Sequence, residues 1–445
     1  MAMLSSAKRN MTFISNISTM ASGTALGRLV TVLAAPLLAR LFSPEDFGIA
    51  ALVITLSVIL NSFSSLSYEF AIVLPTDQEH ASALSRLSLV ILIVFCLLVA
   101  GLVWLILWLQ WDMTWVNTLG NWAFLIPVTV LVLGIGNILR RWGVREKRFK
   151  AMSAGEVGNS IVTACSRIGL GATLGSSVGG LVTGYLAGVA TELYLIVRSL
   201  GVRFGTIFKK SQTCSLHSVA HRYRDFAIYM SPSALLNALS EQLPIVLLGA
   251  FFSPAVVGFY ALANRLVVMP IGIVGRSVRT VFLQRAVDLY NEGRRIGPGF
   301  SKITFGLAAL GAPAFLGLFM YGEEAFSLLL SERWATAGRF VEVLTPLFYT
   351  MLVLAPMSAI FIVLERQRML LVLQTIRTTA LVGAFAWSAH QELAALDTLR
   401  LYSGLGAATN LLIAFVAFWL AYSKPLIKHG NHTDRDLAKP VNHGD

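Results

Sequence analysis

Apolar residues in this chain are gathered into long runs separated by short segments of charged and turn-forming residues. The runs fall at residues 12–41, 49–74, 87–109, 122–139, 153–175, 178–200, 226–252, 256–282, 303–321, 341–364, 369–390 and 401–422. Each is close to or above the ~20 residues an α-helix needs to cross a hydrocarbon layer, and none shows the alternation of a strand. The pattern predicts an all-α polytopic membrane protein with about twelve transmembrane helices. Pro36, Pro127, Pro232, Pro244, Pro270, Pro313, Pro346 and Pro356 lie inside the runs. In lipid, prolines bend or break helices that neighbouring groups can still satisfy. The first run follows Lys8 and Arg9 as a signal peptide would. It continues to about residue 38, carries Arg28 and lacks a cleavage site, so it reads as a retained first helix.

Composition agrees. Of 445 residues, 56% are hydrophobic and 13% charged, with a mean hydropathy of +0.71, against roughly 25% charged in an ordinary soluble domain. A water-soluble fold is excluded. The net charge of +12 would suggest nucleic acid in a soluble protein, but here it has a topological explanation. With the N-terminus in the cytoplasm, the inside segments hold 25 of the 35 basic residues and the outside segments only Arg40, Arg333, Arg339 and Arg400. That is the positive-inside rule for an even number of helices with both ends in the cytoplasm. Nucleic acid is therefore not an expected partner; the lipid bilayer is.

The chain also repeats. Phe42-Ser43-Pro44, Gly48, Ala51 and Leu52 recur as Phe252-Ser253-Pro254, Gly258, Ala261 and Leu262 at a constant offset of 210 residues. Both copies fall between the first and second helix of a half. The expected organisation is a six-helix lobe at 1–200, a cytoplasmic linker at 201–225, a second six-helix lobe at 226–422 and a cytoplasmic tail at 423–445. The two lobes are pseudo-symmetric about an axis along the membrane normal. Such duplication suits a transporter.

Six basic residues remain inside the helices: Arg28, Arg167, Arg265, Arg276, Arg279 and Arg377. A charge near the bilayer centre costs at least ~2.5 kcal/mol, so such residues face a cavity, find a partner or snorkel. Arg276 and Arg279 are close enough to the inner end of their helix to snorkel, and Arg167 can pair with an acidic residue in the bundle. Arg28 and Arg265 are deeper and point to a water-filled, anion-attracting cavity. Among the acids, Glu156 and Glu192 are expected to be solvated or paired with the cytoplasmic arginines. Glu241, mid-helix between Pro232 and Pro244, suits either a structural ion pair or uptake of a proton or cation. Glu69 reads as a capped or solvated carboxylate near the inner end of its helix.

Glycines spaced by four, Gly171, Gly175 and Gly179, then Gly180, Gly184 and Gly188, are assigned to close helix packing. No phosphate-binding loop occurs. Cys96, Cys165 and Cys214 make no CxxC spacing, and His217 and His221 lack the further ligands of a metal site. His390 lies near an outer helix end. The longest outside segment, 322–340, is too short for a sugar-holding catalytic domain. Its Leu328-Leu329-Leu330 and Trp334 suggest an interfacial helix. No catalytic residue and no cofactor are expected.

Gly27-Arg28 with Ala39-Arg40-Leu41-Phe42-Ser43-Pro44-Glu45-Asp46-Phe47-Gly48, followed by Tyr68-Glu69 and Ala71-Ile72-Val73-Leu74-Pro75, resembles the polysaccharide transporter (Wzx-type flippase) family of the multidrug/oligosaccharidyl-lipid/polysaccharide exporter superfamily. The resemblance implies a MATE-like, V-shaped bundle of two six-helix lobes in the bacterial inner membrane. It implies translocation of undecaprenyl-diphosphate-linked oligosaccharide to the outer leaflet by alternating access, for O-antigen, exopolysaccharide or capsule synthesis, with a polysaccharide polymerase and a chain-length regulator as partners. It further implies that cavity arginines hold the diphosphate. Arg28 stands at the signature position, while Arg265, Arg276, Arg279 and Arg377 are candidates on physical grounds. Guanidinium groups grip phosphate oxygens in bidentate fashion and keep their charge when poorly solvated. Glu241 and Glu69 are the candidates for proton or sodium coupling or for ion pairs. A cation-coupled multidrug exporter of the MATE type is the alternative reading; a glycan polymerase or ligase is a weaker one.

Overall fold

The computed structural model describes residues 23–109, 119–200, 204–208 and 215–423. Twelve long helices stand out among them: α1 (Gly23–Leu41), α2 (Pro44–Asn61), α3 (Gln78–Trp108), α4 (Leu125–Arg145), α5 (Phe149–Leu174), α6 (Val178–Ser199), α7 (Ser231–Phe251), α8 (Pro254–Asn291), α9 (Gly297–Leu329), α10 (Ala335–Val353), α11 (Gln367–His390) and α12 (Ala395–Tyr422). Among the described residues, eleven helical stretches are long and apolar enough to cross a membrane, α5 being the long helix left out. It carries Lys150, Glu156, Asn159, Ser160, Thr163 and Arg167, which lower its hydropathy; Glu156, Asn159, Ser160 and Arg167 line cavities. Leu97, Leu98, Leu102, Trp104 and Trp108 of α3 are exposed. A water-soluble fold would bury such a row; a lipid-facing helix displays it. The chain is a multi-pass membrane protein.

Packing divides the residues into two compact units. Unit 1 holds the described residues up to 270 with 317–345 and 383–402; unit 2 holds 271–316, 346–382 and the described residues from 403 on. Unit 2 has its own core, in which Phe282, Phe300, Phe361, Leu373, Ile413 and Leu420 pack together. In unit 1, one core gathers Leu84, Leu139, Trp142 and Ile196 with Tyr68 and Val219. Val219 belongs to a short helix, Leu216–Arg222, in the predicted inter-lobe linker, and Ala220 there accepts a hydrogen bond from the Tyr68 hydroxyl at 3.2 Å.

The repeated sequence motif is a helix-start signal. Ser43 caps α2, accepting from the Asp46 amide at 3.1 Å, and Pro44 occupies the first helical position, where its missing N–H costs nothing. Pro254 likewise opens α8, the Val257 amide donating to the Ser253 carbonyl at 3.3 Å as the Phe47 amide does to the Ser43 carbonyl at 3.1 Å. The two copies meet. A Cβ on Gly48 would fall well inside contact distance of the Pro254 carbonyl oxygen and 3.0 Å from the Gly258 nitrogen. A Cβ on Gly258 would collide with the Pro44 carbonyl in the same way and stand 3.0 Å from the Gly48 nitrogen. The contact is reciprocal, as a local two-fold relation between the copies requires.

Four expectations are corrected. The second helix ends at Asn61, not at residue 74, because Leu66 and Ser67 take left-handed backbone angles (φ 50° and 59°) that no α-helix contains; only the short helix Tyr68–Ala71 follows. Trp334 is not interfacial. It is fully buried, its Nε1 donates to the Ala39 carbonyl at 2.7 Å, and its ring meets Phe47 and Phe259 edge-on at 5.3 and 5.8 Å. Gly175 serves a turn rather than packing, with φ +75° and nothing near its missing side chain, whereas Gly171, Gly184 and Gly188 do face neighbours tightly. The run at 341–364 is interrupted around Pro356, after which Met357–Val363 forms a separate short helix, while Pro244, Pro270, Pro313 and Pro346 lie inside continuing helices.

Candidate functional site

The intramembrane arginines fall in different places. In unit 1, a cavity of about 170 Å³ is lined by Phe47, Ala50, Ala51, Ile54 and Thr55 of α2, Arg167 of α5, Leu181 of α6, Ile245 of α7, and Ala261, Leu262 and Arg265 of α8. It therefore draws on helices from both copies of the repeat. No carboxylate lines it. Arg167 is only 4% exposed; its Nε donates to the Leu181 carbonyl at 2.8 Å and its guanidinium stands 6.0 Å from the Tyr185 ring. Room for it comes from Gly184, where a Cβ would sit 2.6 Å from Arg167 Cγ. Arg265 is half-buried, and its Nε is buried without a hydrogen-bond partner. Neither arginine forms an ion pair among the described residues. Thr55 donates to Gln242 Oε1 at 3.3 Å beside the cavity. A buried and a half-buried guanidinium sharing a small space without a counter-ion are costly, and an anion placed between them would lower that cost.

Arg28 lines a separate cavity of about 260 Å³ in the same unit, with Thr24, Gly27, Arg140, Glu156, Asn159, Ser160 and Glu192. Here acids and bases balance. Glu192 accepts from Arg140 Nε at 2.6 Å and NH2 at 3.2 Å, a bidentate pair, and from Asn159 at 2.9 Å. Glu156 accepts from the Thr24 hydroxyl. The pairing expected of Glu192 is thus present, whereas the one expected of Arg167 is not: Arg167 faces Arg265 rather than an acid. Arg28 and Arg265 do not line one cavity.

Arg276, Arg279 and Arg377 belong to unit 2. Arg276 and Arg279 are exposed, Arg276 donating to its own helix at the Gly272 carbonyl (3.2 Å). Arg377 is half-buried, its Nε without a hydrogen-bond partner. Glu241 is exposed on α7 and accepts from Asn237 at 3.1 Å.

Glu69 lies between spans and is 2% exposed. It is capped by Ser65 Oγ at 2.5 Å, so the capping expected of it holds and solvation does not. The loop that follows is clamped by Arg145, whose guanidinium donates to the carbonyls of Ile72, Pro75, Thr76 and Asp77. Burial pushes the Glu69 carboxyl above its ordinary value, against the smaller downward pulls of the Ser65 hydrogen bond and the Arg141 charge. The folded state then binds the Glu69 proton more tightly than the unfolded one. This contribution to stability is present at low pH and falls as pH rises from the unfolded carboxyl value toward the folded one. Glu69→Gln should flatten that slope in thermal unfolding as pH is raised through and above the ordinary carboxyl range; an unchanged slope would show that Glu69 titrates normally.

Sequence alone missed Arg167 as a partner of Arg265. The only hint was Gly184, whose role in seating a side chain cannot be told from its role in helix packing before the neighbours are known.

A family model described as "Polysaccharide biosynthesis protein" matches residues 37–338. The succinoglycan biosynthesis transport protein ExoT of Rhizobium meliloti (strain 1021) is 25% identical over 328 residues, 71% of this chain and 61% of that protein. The lipopolysaccharide biosynthesis protein WzxC of Escherichia coli (strain K12) is 24% identical over 153 residues, 34% of this chain and 30% of that one. The chain thus spans less than two thirds of the curated relatives' length. Among solved structures, the lipid II flippase MurJ in an inward closed conformation has a TM-score of 0.68 at 12% identity, covering 90% of this chain and 89% of that one. An inward-facing MATE family multidrug transporter of the MOP superfamily has 0.56 at 16%, covering 91% and 93%. These likenesses give the fold.

Proposed function

The chain belongs to the polysaccharide biosynthesis protein family, and from that membership we propose that it is a bacterial inner-membrane flippase for an oligosaccharide carried on a polyprenyl diphosphate. It moves this cargo from the cytoplasmic to the outer leaflet by alternating access of its two sequence-related halves. The observation that carries the reading is the cavity that buried Arg167 and half-buried Arg265 line without a carboxylate. Such a site selects a compact, strongly charged anion, for which bidentate guanidinium contacts are suited. A carrier of organic cations would need the opposite charge there, which disfavours the multidrug reading. Arg28, in a charge-balanced cavity, becomes a candidate for positioning sugar or diphosphate through a network that can exchange partners. Arg276, Arg279 and Arg377 extend the candidate list into unit 2. Glu241, exposed and beside Asn237, is the candidate group for taking up a proton or sodium ion during return of the empty carrier. The protein acts as a carrier and not as an enzyme, delivering its cargo to a polymerase and its chain-length regulator.

The test is translocation of a fluorescent polyprenyl-diphosphate oligosaccharide in proteoliposomes, read by an impermeant quencher. Arg265→Ala and Arg28→Ala should each slow translocation, Arg265→Ala by at least ~10-fold, one lost charge-assisted hydrogen bond being worth about 1.5–3 kcal/mol. Arg265→Lys should restore only part of the rate. Full activity in both alanine variants would overturn the arginine assignment.

A further inference from the structure

A third cavity, of about 360 Å³, lies in unit 2, and none of the six intramembrane arginines lines it. Three separate stretches build it: residues 290–296 from the end of α8 onward, residues 364–369 ahead of and into α11, and residues 419–423 at the end of α12. Its floor is apolar, with Ile296 and Leu420 buried. Around it stand Arg294, Arg295 and Arg366, all exposed, together with Trp419, also exposed. The alternation of the helices puts all three stretches on the cytoplasmic side under the positive-inside assignment. Of the three arginines, only Arg294 has an ion pair among the described residues, a 3.3 Å contact with the exposed Glu292.

Topology alone explains why basic residues lie on this side. It does not explain why three arginines from two distant turns surround one apolar pocket with a tryptophan at a helix end, the level at which indoles settle between headgroups and chains. We propose that this pocket binds the headgroup of an acidic phospholipid of the cytoplasmic leaflet, Arg295 and Arg366 taking its phosphate and Trp419 lying along its glycerol and upper acyl region. The cationic rim is complementary to an anionic headgroup, and an apolar floor suits the chains below it. The site is independent of the cargo reading; it needs only the inside placement of these turns.

The experiment uses the full-length protein purified in a zwitterionic detergent. Phosphatidylglycerol or phosphatidylcholine is added, and retained lipid is counted by native mass spectrometry alongside the shift in melting temperature. Phosphatidylglycerol should bind saturably and raise the melting temperature, while phosphatidylcholine does neither. Arg295→Gln with Arg366→Gln should weaken phosphatidylglycerol binding by at least ~10-fold. Arg285→Gln with Arg368→Gln removes the same charge outside the pocket and should leave binding within ~2-fold. Equal losses in the two double variants would overturn the site in favour of diffuse attraction. Equal retention of phosphatidylcholine would overturn its charge selectivity. Displacement of the phospholipid by an equimolar polyprenyl diphosphate, or by inorganic diphosphate, would assign the pocket to cargo or to free phosphate instead. Because lipid counting does not involve translocation, its failure is separable from failure of the flippase reading.

Discussion

Arg265→Met is expected to abolish most translocation while leaving the folded protein as stable as the parent or more so. A guanidinium in a poorly solvated space gives up hydration, and normally an acid or a set of carbonyls replaces it. Arg265 has neither at its Nε, and the nearby charge lining the same cavity is Arg167, of the same sign. Replacing buried charge by an apolar side chain of similar volume is often neutral or stabilising, by about 1–4 kcal/mol. Methionine fills such a space flexibly, so a gain toward the lower end of that range is expected in detergent melts. Arg167→Met should gain less, because it also loses the 2.8 Å bond from Nε to the Leu181 carbonyl. The double variant should gain less than the sum, since whichever arginine goes first relieves the like-charge repulsion for both. This trade of stability against activity is the signature of a group retained for function. Loss of more than ~2 kcal/mol in Arg265→Met would instead mark a structural residue.

The membrane made much of the fold legible. A hydrocarbon layer forces spanning segments to be long, apolar and helical, so the apolar runs predicted which segments are helical; several helices nevertheless extend well beyond their run, α3 starting at Gln78 rather than 87 and α8 ending at Asn291 rather than 282. One overrun is instructive: residues 62–74 are apolar enough to continue α2, but the left-handed turn at Leu66 and Ser67 ends the helical course. Hydropathy measures burial and is blind to backbone angle. The site was less legible. The depth of Arg28 and Arg265 could be counted along their helices, but which helices adjoin them could not. The reading of Arg167 as half of an ion pair followed from a general cost of burial and failed because the cavity opens between α2 and α8. Trp334 was misread for a related reason: a tryptophan near a helix end suits both an interface and a core, and only its neighbours Phe47, Phe259 and Ala39 decide between them.

Gly48→Ala and Gly258→Ala are expected to be the most damaging alanine substitutions in glycine, although alanine favours helices. Their helices touch backbone to backbone, each missing side chain aimed at the other motif's proline carbonyl. A carbonyl held in a helix start cannot swing aside as a flexible side chain can, so the whole turn must retreat. Overpacking of this kind costs about 1–3 kcal/mol, and both substitutions should fall at the upper end. Valine at either position should prevent recovery of monodisperse protein. Gly306→Ala and Gly404→Ala supply the contrast: both positions are helical with nothing near the missing side chain, and there alanine should gain up to about 1 kcal/mol. The reciprocal geometry predicts coupling as well. Once Gly48→Ala has forced the turns apart, Gly258→Ala meets a gap already opened, so the double variant should cost clearly less than the sum of the two singles. Strict additivity would mean that the two turns do not share one contact, and the repeat would then be a sequence duplication without the local two-fold packing described above.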